Sequence, residues 1–314
     1  MTTHKRPELF TRYGGNPILT AQHWPRTVNS VFNPAAALVD AETLLLVRVE
    51  ERTGISHLCV ARSADGLTDW VVEEDRAMLP LLDSDAERYG IEDPRITCCG
   101  DERLIVYTGY SSGGPLVCLA ATRDFRTFER RGVLMPPDDK DAALFPVRFG
   151  ERWALIHRPT SATPRQTAHI WISWSPDLRH WGDHQILLAA RDGGWWDAHK
   201  VGLSTPPLLT PEGWLLLYHG VRQTAAGAIY RLGLALLDRE RPDRVLARSR
   251  EWVFGPDAPY ERSGDVDQVV FPCGWVLLED GDTLRLYYGA ADTSVCVATA
   301  SLSALLAWLA RHSG

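Results

Sequence analysis

The feature that most constrains this chain is a unit that recurs five times. Each copy is a short apolar strand, a polar or glycine break, and a second strand. Leu44–Glu50 (LLLVRVE) precedes His57–Ser63 (HLCVARS), and Leu104–Tyr110 (LIVYTGY) precedes Leu116–Thr122 (LVCLAAT). Trp153–Arg158 precedes His169–Ser175, Trp214–Gly220 precedes Tyr230–Leu236, and Leu284–Gly289 precedes Val295–Ala300. The copies recur at intervals of roughly 50 to 70 residues, the spacing of a repeat architecture. In three copies an Asp turn and an aromatic residue follow: Asp65 with Trp70, Asp124 with Phe128, and Asp177 with Trp181. An Asp in such a turn bonds its own backbone, and the aromatic can pack back on the sheet. Five similar β units in series predict an all-β, five-bladed β-propeller. A β-sandwich with coincidental spacing is the competing reading, and the shared strand, strand, Asp-turn, aromatic order argues against it.

One segment has helical spacing. Leu302, Leu305, Leu306 and Leu309 predict a short C-terminal helix over 301–312, capped by Ser301 or Ser303. No Pro-, Gly- or Ser-rich linker divides the chain, so residues 1–314 are expected to form a single domain. The 12 Trp, 25 Gly and 20 Pro suit blade packing and turns, with sugar stacking a second use for Trp.

Composition narrows the function. With 33 basic and 40 acidic residues the formal net charge is −7, which argues against a nucleic-acid partner. No stretch approaches the roughly 20 apolar residues of a membrane span. Met1 to Gly15 has no apolar core of a secretory leader, and the six cysteines form no C-x-x-C pair. A cytoplasmic protein with reduced thiols is therefore expected, without a metal site. G-x-x-x-x-G-K-[ST], G-x-G-x-x-G and H-E-x-x-H are absent, and the one G-x-S-x-G match, Gly109-Tyr-Ser-Ser-Gly113, joins two strand runs rather than sitting at the strand-to-helix turn of a nucleophile elbow. Serine hydrolase, nucleotide-binding and zinc-protease readings are correspondingly weak.

A propeller gathers its polar residues at the mouth of a central channel. In Gly90-Ile-Glu92-Asp93-Pro94-Arg95, Pro94 biases Asp93 toward an extended backbone that would aim its carboxylate. A turn with an Asp–Arg ion pair is the plainer alternative. Arg48 and Glu50 share one strand face, and Asn33 lies in Phe32-Asn33-Pro34. A surface pair and a structural turn are the alternatives there. Lys140, Arg158, Lys200 and His219 recur at or near strand ends. If they converge at the axis they form a site for an oxyanion such as phosphate.

Taken together, the residues from about Gly15 to Leu309 resemble glycoside hydrolase family 130, the β-mannoside phosphorylases and related β-mannosidases. The resemblance rests on Val31-Phe-Asn-Pro-Ala-Ala36, Leu46-Val-Arg-Val-Glu50, Gly90-Ile-Glu-Asp-Pro-Arg-Ile96 and Lys140-Asp-Ala-Ala-Leu-Phe-Pro146. His157-Arg-Pro159, Tyr218-His-Gly220, Val270-Phe-Pro-Cys-Gly274 and Tyr287-Tyr-Gly-Ala-Ala-Asp-Thr293 follow in order. It implies a five-bladed propeller and an inverting reaction in which inorganic phosphate attacks the anomeric carbon of a β-mannoside. It implies Asp93 as general acid, acting through the 3-hydroxyl of the mannosyl unit and protonated at the working pH. Arg95 would oppose that unless it points away.

By the same resemblance Asn33, Arg48 and Asp292 join Asp93 in holding sugar. Arg158, Lys200 and His219 hold phosphate, with Lys140 and Tyr218 beside them. No cofactor is implied, because phosphate is a co-substrate. Two alternatives remain. A β-mannosidase would use water and a second carboxylate such as Asp265, Asp267 or Glu50. A non-catalytic propeller would bind sugar only. The linkage and acceptor are open. A homo-oligomer is possible, with the N-terminal arm and the C-terminal helix as contacts.

Overall fold

A computed structural model describes residues 9–160, 167–225 and 227–313. Residues 1–8 of the N-terminal arm lie outside the described residues.

Each repeated pair forms an antiparallel hairpin. Glu42–Glu50 pairs with Ser56–Ser63, Glu102–Ser111 with Gly114–Thr122, and Trp153–Pro159 with Ile170–Ser175. Gly213–Thr224 pairs with Gly227–Leu237, and Thr283–Ala290 with Ser294–Ser301. Every hairpin is the middle of one sheet, and the five sheets are arranged as blades of a propeller. A first strand precedes each hairpin: Ser30–Val39, Ile91–Cys99, Asp139–Leu144, Lys200–Leu203 and Val270–Leu277. These first strands lie against those of neighbouring blades.

Strand periodicity explains how the blades stack. Successive side chains point to opposite faces. Leu45, Val47 and Val49 therefore pack toward blade five, while Leu44 and Leu46 pack toward blade two. Both faces are buried, so the strand is a continuous apolar run rather than an alternating one. The same logic yields five apolar clusters, one between each adjacent pair of blades.

The Asp turns form as expected. Asp65 accepts the backbone N–H of Leu67 and Thr68, Asp124 those of Arg126 and Thr127, and Asp177 those of Arg179 and His180. Asp238 repeats the turn in blade four, bonding Glu240 and Arg241. Trp70 packs edge-on against Tyr287 of blade five, so the aromatic cue seals a blade interface.

The fourth strand of blades one to four follows the hairpin, but in blade five it comes from the N-terminus. Thr11–Arg12 pairs with Ser294–Ser301 and closes the ring. Arg12 reinforces the closure. Its Nε and Nη2 lie 2.8 and 2.9 Å from the two carboxylate oxygens of Glu261, and Nη2 also donates to Gly255 O. Glu261 is fully buried on Pro259–Arg262, a one-turn helix not expected from the sequence. The C-terminal helix spans Leu302–His312, capped by Ser301, and buries Leu302, Leu305, Trp308 and Leu309 against blades four and five.

Removing one member of a buried ion pair strands the other. Arg12→Ala should cost about 3 kcal/mol of stability, read as a shift in the urea unfolding midpoint. A midpoint matching the parent protein would show that ring closure does not depend on this pair.

Candidate active site

Three first strands carry the same local defect. The pairing register steps between Phe32 and Ala35, between Glu92 and Arg95, and between Lys140 and Ala143. At each step one residue takes a left-handed backbone: Asn33 (φ 46°), Asp93 (φ 48°) and Asp141 (φ 54°). Asn and Asp tolerate this region better than other residues with a side chain. A bulge re-aims the side chain it carries. These bulges place the three side chains in one cavity of about 450 Å³. Asp93 is therefore not in the extended conformation expected from Pro94.

The cavity draws residues from all five blades. Asn33, Arg48, Asp93, Lys140, Arg158, Lys200, His219 and Asp292 all line it. Tyr218 does not. It is fully buried and stacks on Trp196, and its hydroxyl donates to Asp197 at 3.0 Å. Tyr230, in the adjacent strand, lines the cavity instead, as do Glu92, Tyr110, Asp138, Asp141 and Phe271. A second cavity of similar volume, lined by Phe10, Trp252 and Trp308, contains none of the candidate residues.

One half of the site is acidic. Asp93 Oδ1 accepts Asn33 Nδ2 at 2.9 Å and Arg48 Nη1 at 3.2 Å. Arg48 Nη2 lies 3.0 Å from Glu92 and 3.5 Å from Glu50, and the guanidinium sits over the Phe32 ring. One cation is thus shared among several carboxylates. Burial pushes the Asp292 carboxyl up to about 7, and repulsion from Asp93 adds to it against the pull of Arg48. Burial likewise raises Glu92. Asn33 Oδ1 is buried without a donor among the described residues. Arg95 turns away from the Asp93 carboxylate, donating to the main-chain oxygens of Asp93, Leu203 and Ser204.

The other half is cationic. Arg158 Nε and Nη2 each lie 2.7 Å from Asp141 Oδ2. His219 Nε2 lies 3.3 Å from the same oxygen. Burial opposes the charge on Asp141, but Arg158, His219 and Arg95 outweigh it and hold the carboxyl well below its ordinary value. Burial lowers His219, so at neutral pH it offers hydrogen bonds more than charge. Burial also lowers the Lys200 ammonium, and crowding by Arg158 and Lys140 adds to that. Cations pressed together in a cavity are relieved by a bound anion.

The three carboxylates considered as a water-activating base do not line the cavity. Asp265 bonds Asn29, Asp267 caps the backbone of Gly264, and Glu50 bonds Asn29 and faces Arg48. The twelve tryptophans are also absent from its lining. Several of them, such as Trp174, Trp214 and Trp275, are packed between blades.

The model of glycoside hydrolase family 130, described as beta-1,4-mannooligosaccharide phosphorylase, matches residues 3–311. The chain belongs to this family. A beta-1,2-mannobiose phosphorylase of Listeria innocua is 37% identical over 254 residues, covering 81% of this chain and 69% of the relative. A beta-1,4-mannooligosaccharide phosphorylase of Ruminococcus albus is 29% identical, covering 98% and 92%. The solved structure of the Listeria innocua beta-1,2-mannobiose phosphorylase in complex with beta-1,2-mannobiose superposes with a TM-score of 0.87 at 31% identity. That match covers 96% of this chain and 99% of the other. The five-bladed reading of the repeats thus agrees with the family.

In this family 130 protein the raised Asp292 carboxyl has a consequence for stability. The folded protein keeps a proton that the unfolded chain loses near the ordinary 3.8. The contribution of Asp292 to native stability therefore declines as pH rises from 3.8 to about 7. Asp292→Asn should abolish that decline, so the stability difference between variant and parent grows through this window and is constant on either side. Urea titrations at a series of pH values measure it, and a pH-independent difference would show that Asp292 titrates normally.

Proposed function

We propose that this protein is an inverting β-mannoside phosphorylase that releases α-mannose 1-phosphate and a shortened acceptor. The observation that carries the reading is the division of one cavity into halves of opposite charge. Lys140, Arg158 and Lys200, with His219, line the same cavity as the carboxylates around Arg48. A neutral sugar needs hydrogen-bonding groups and one acid. A phosphate nucleophile needs positive charge and placement.

The chemistry follows from that division. An inverting hydrolase needs two carboxylates, one as acid and one as base for water. Phosphate is already anionic and needs only positioning and charge compensation. In this reading Asn33, Arg48 and Asp292 orient the mannosyl unit. Asp93 protonates the leaving oxygen through the 3-hydroxyl, and phosphate held by Arg158, Lys200 and His219 attacks the opposite face. Lys140 adds charge to the same wall. Phosphate enters as co-substrate, and the scheme calls on no cofactor. Glu50, Asp265 and Asp267 lie outside the cavity lining, which weighs against these three as a base for water. Relatives act on both β-1,2 and β-1,4 linkages. The Listeria innocua match makes β-1,2-mannobiose the first substrate to test.

Two variants test the assignment. Asp93→Asn should lower kcat by a factor on the order of 10³, the scale of lost general acid catalysis. Arg158→Ala should raise the phosphate KM at least tenfold, about 1.4 kcal/mol, with little change in the mannobiose KM. Full activity in the first variant would point to a binding protein or a different acid. Unchanged phosphate saturation in the second would remove Arg158 from the anion site.

A further inference from the structure

Behind the cationic wall of the cavity lies a hydrogen-bonded chain that the proposed chemistry does not use. Neighbouring residues on a strand point to opposite faces. Arg158 lines the cavity, while His157, on the same strand, is buried outside it. His157 Nδ1 lies 2.6 Å from Asp139 Oδ2, and Nε2 lies 2.7 Å from Ser173 Oγ. Ser173 Oγ lies 2.6 Å from Nδ1 of His184, which is exposed on the outer strand of blade three. The other oxygen of Asp139 accepts the backbone N–H of Arg158 at 3.1 Å. The next residue, Lys140, is the register partner of Arg158. The chain therefore runs from solvent to the backbone that carries two cations of the wall.

The order Ser, His, Asp is that of an acyl-transfer triad. Ser173 is fully buried and lines no described cavity, so it cannot meet a substrate carbonyl. A different role fits. We propose that Asp139, His157, Ser173 and His184 form a positioning relay for Arg158, fixing the strand on which the phosphate-binding cations stand. This rests on the reading of that half as the phosphate site.

The relay has two fully bonded arrangements. In one, His184 Nδ1–H donates to Ser173, the serine hydroxyl donates to His157 Nε2, and His157 Nδ1–H donates to Asp139. In the other, His184 Nε2 takes a proton from solvent, its Nδ1 proton passes to Ser173 Oγ, and the serine proton passes to His157 Nε2. His157 is then an imidazolium held by Asp139, and His184 is neutral again. Among the described residues the charged groups facing His157 are Asp139 on the first strand and His184 on the fourth, with Arg158 as its chain neighbour. Proton uptake at the surface of blade three thus changes the charge against the anchor of Arg158.

Steady-state kinetics with mannobiose and phosphate varied separately test this. Ser173→Ala breaks the chain by removing one buried oxygen, and His184→Ala breaks it at the surface, where folding is least at risk. Both should raise the phosphate KM on the order of fivefold, the worth of one hydrogen bond, and leave the mannobiose KM in place. Both should also change the pH dependence of the phosphate KM relative to the parent measured in parallel. A phosphate KM equal to the parent's in both variants, with Arg158→Ala still impaired, overturns the relay and leaves the phosphate site standing. Equal losses for both substrates show a merely structural role and also overturn it. If Arg158→Ala itself saturates normally with phosphate, the anion-site reading fails and the relay falls with it.

Discussion

The site depends on one buried carboxylate. Asp141 is 1% exposed and receives Arg158 from its own blade, His219 from blade four and Arg95 from blade two. Removing one partner from such a cluster leaves uncompensated charge and typically costs 3–5 kcal/mol. Arg95 extends the network, since its remaining donors close on the main-chain oxygens of Leu203 and Ser204. Three blades are thereby pinned near the axis by charge, where apolar packing gives way to the open channel. Gly202 shows how tight the junction is. A β-carbon there would sit 2.5 Å from Asp141 Oδ2 and from the His219 ring.

This arrangement also creates the asymmetry that the chemistry needs. Asp141 ties up the near side of Arg158 and fixes its orientation, and burial together with the nearby Arg158 and Lys140 disfavours the charge on Lys200. Across the cavity burial, with repulsion from Asp93 added against the pull of Arg48, pushes Asp292 toward its neutral form. Each half thus carries strain of one sign. An anion relieves one half and a proton relieves the other. Phosphorolysis of a neutral glycoside consumes the anion and passes the proton on, since the proton given to the leaving oxygen is balanced by the one phosphate loses on becoming an ester.

Much of this was legible in the sequence because the fold is repetitive. Five strand pairs, three Asp turns and the helix over 301–312 are each short-range patterns, and each formed. The fifth outer strand was not legible, because Thr11–Arg12 is two residues long and pairs nearly 300 residues away. The bulges were present as a pattern that went unread. Phe32-Asn-Pro-Ala, Glu92-Asp-Pro-Arg and Lys140-Asp-Ala-Ala align, and that alignment would have placed Asp141 in the site beside Asn33 and Asp93. Tyr218 and Tyr230 could not be told apart, since which of two paired strands turns a ring to the axis depends on register. Glu92 was visible next to Asp93, but its inward direction follows from the bulge and not from spacing.

The central claim is that a single cavity holds a β-mannoside and an inorganic phosphate together and joins them. The direct measurement is a proton and phosphorus NMR time course of β-1,2- and β-1,4-mannobiose with the enzyme, with and without phosphate. The account predicts that disaccharide is consumed only when phosphate is present, and that the first new signals are those of α-mannose 1-phosphate. Free mannose appearing from the non-reducing unit at the same rate without phosphate would contradict it.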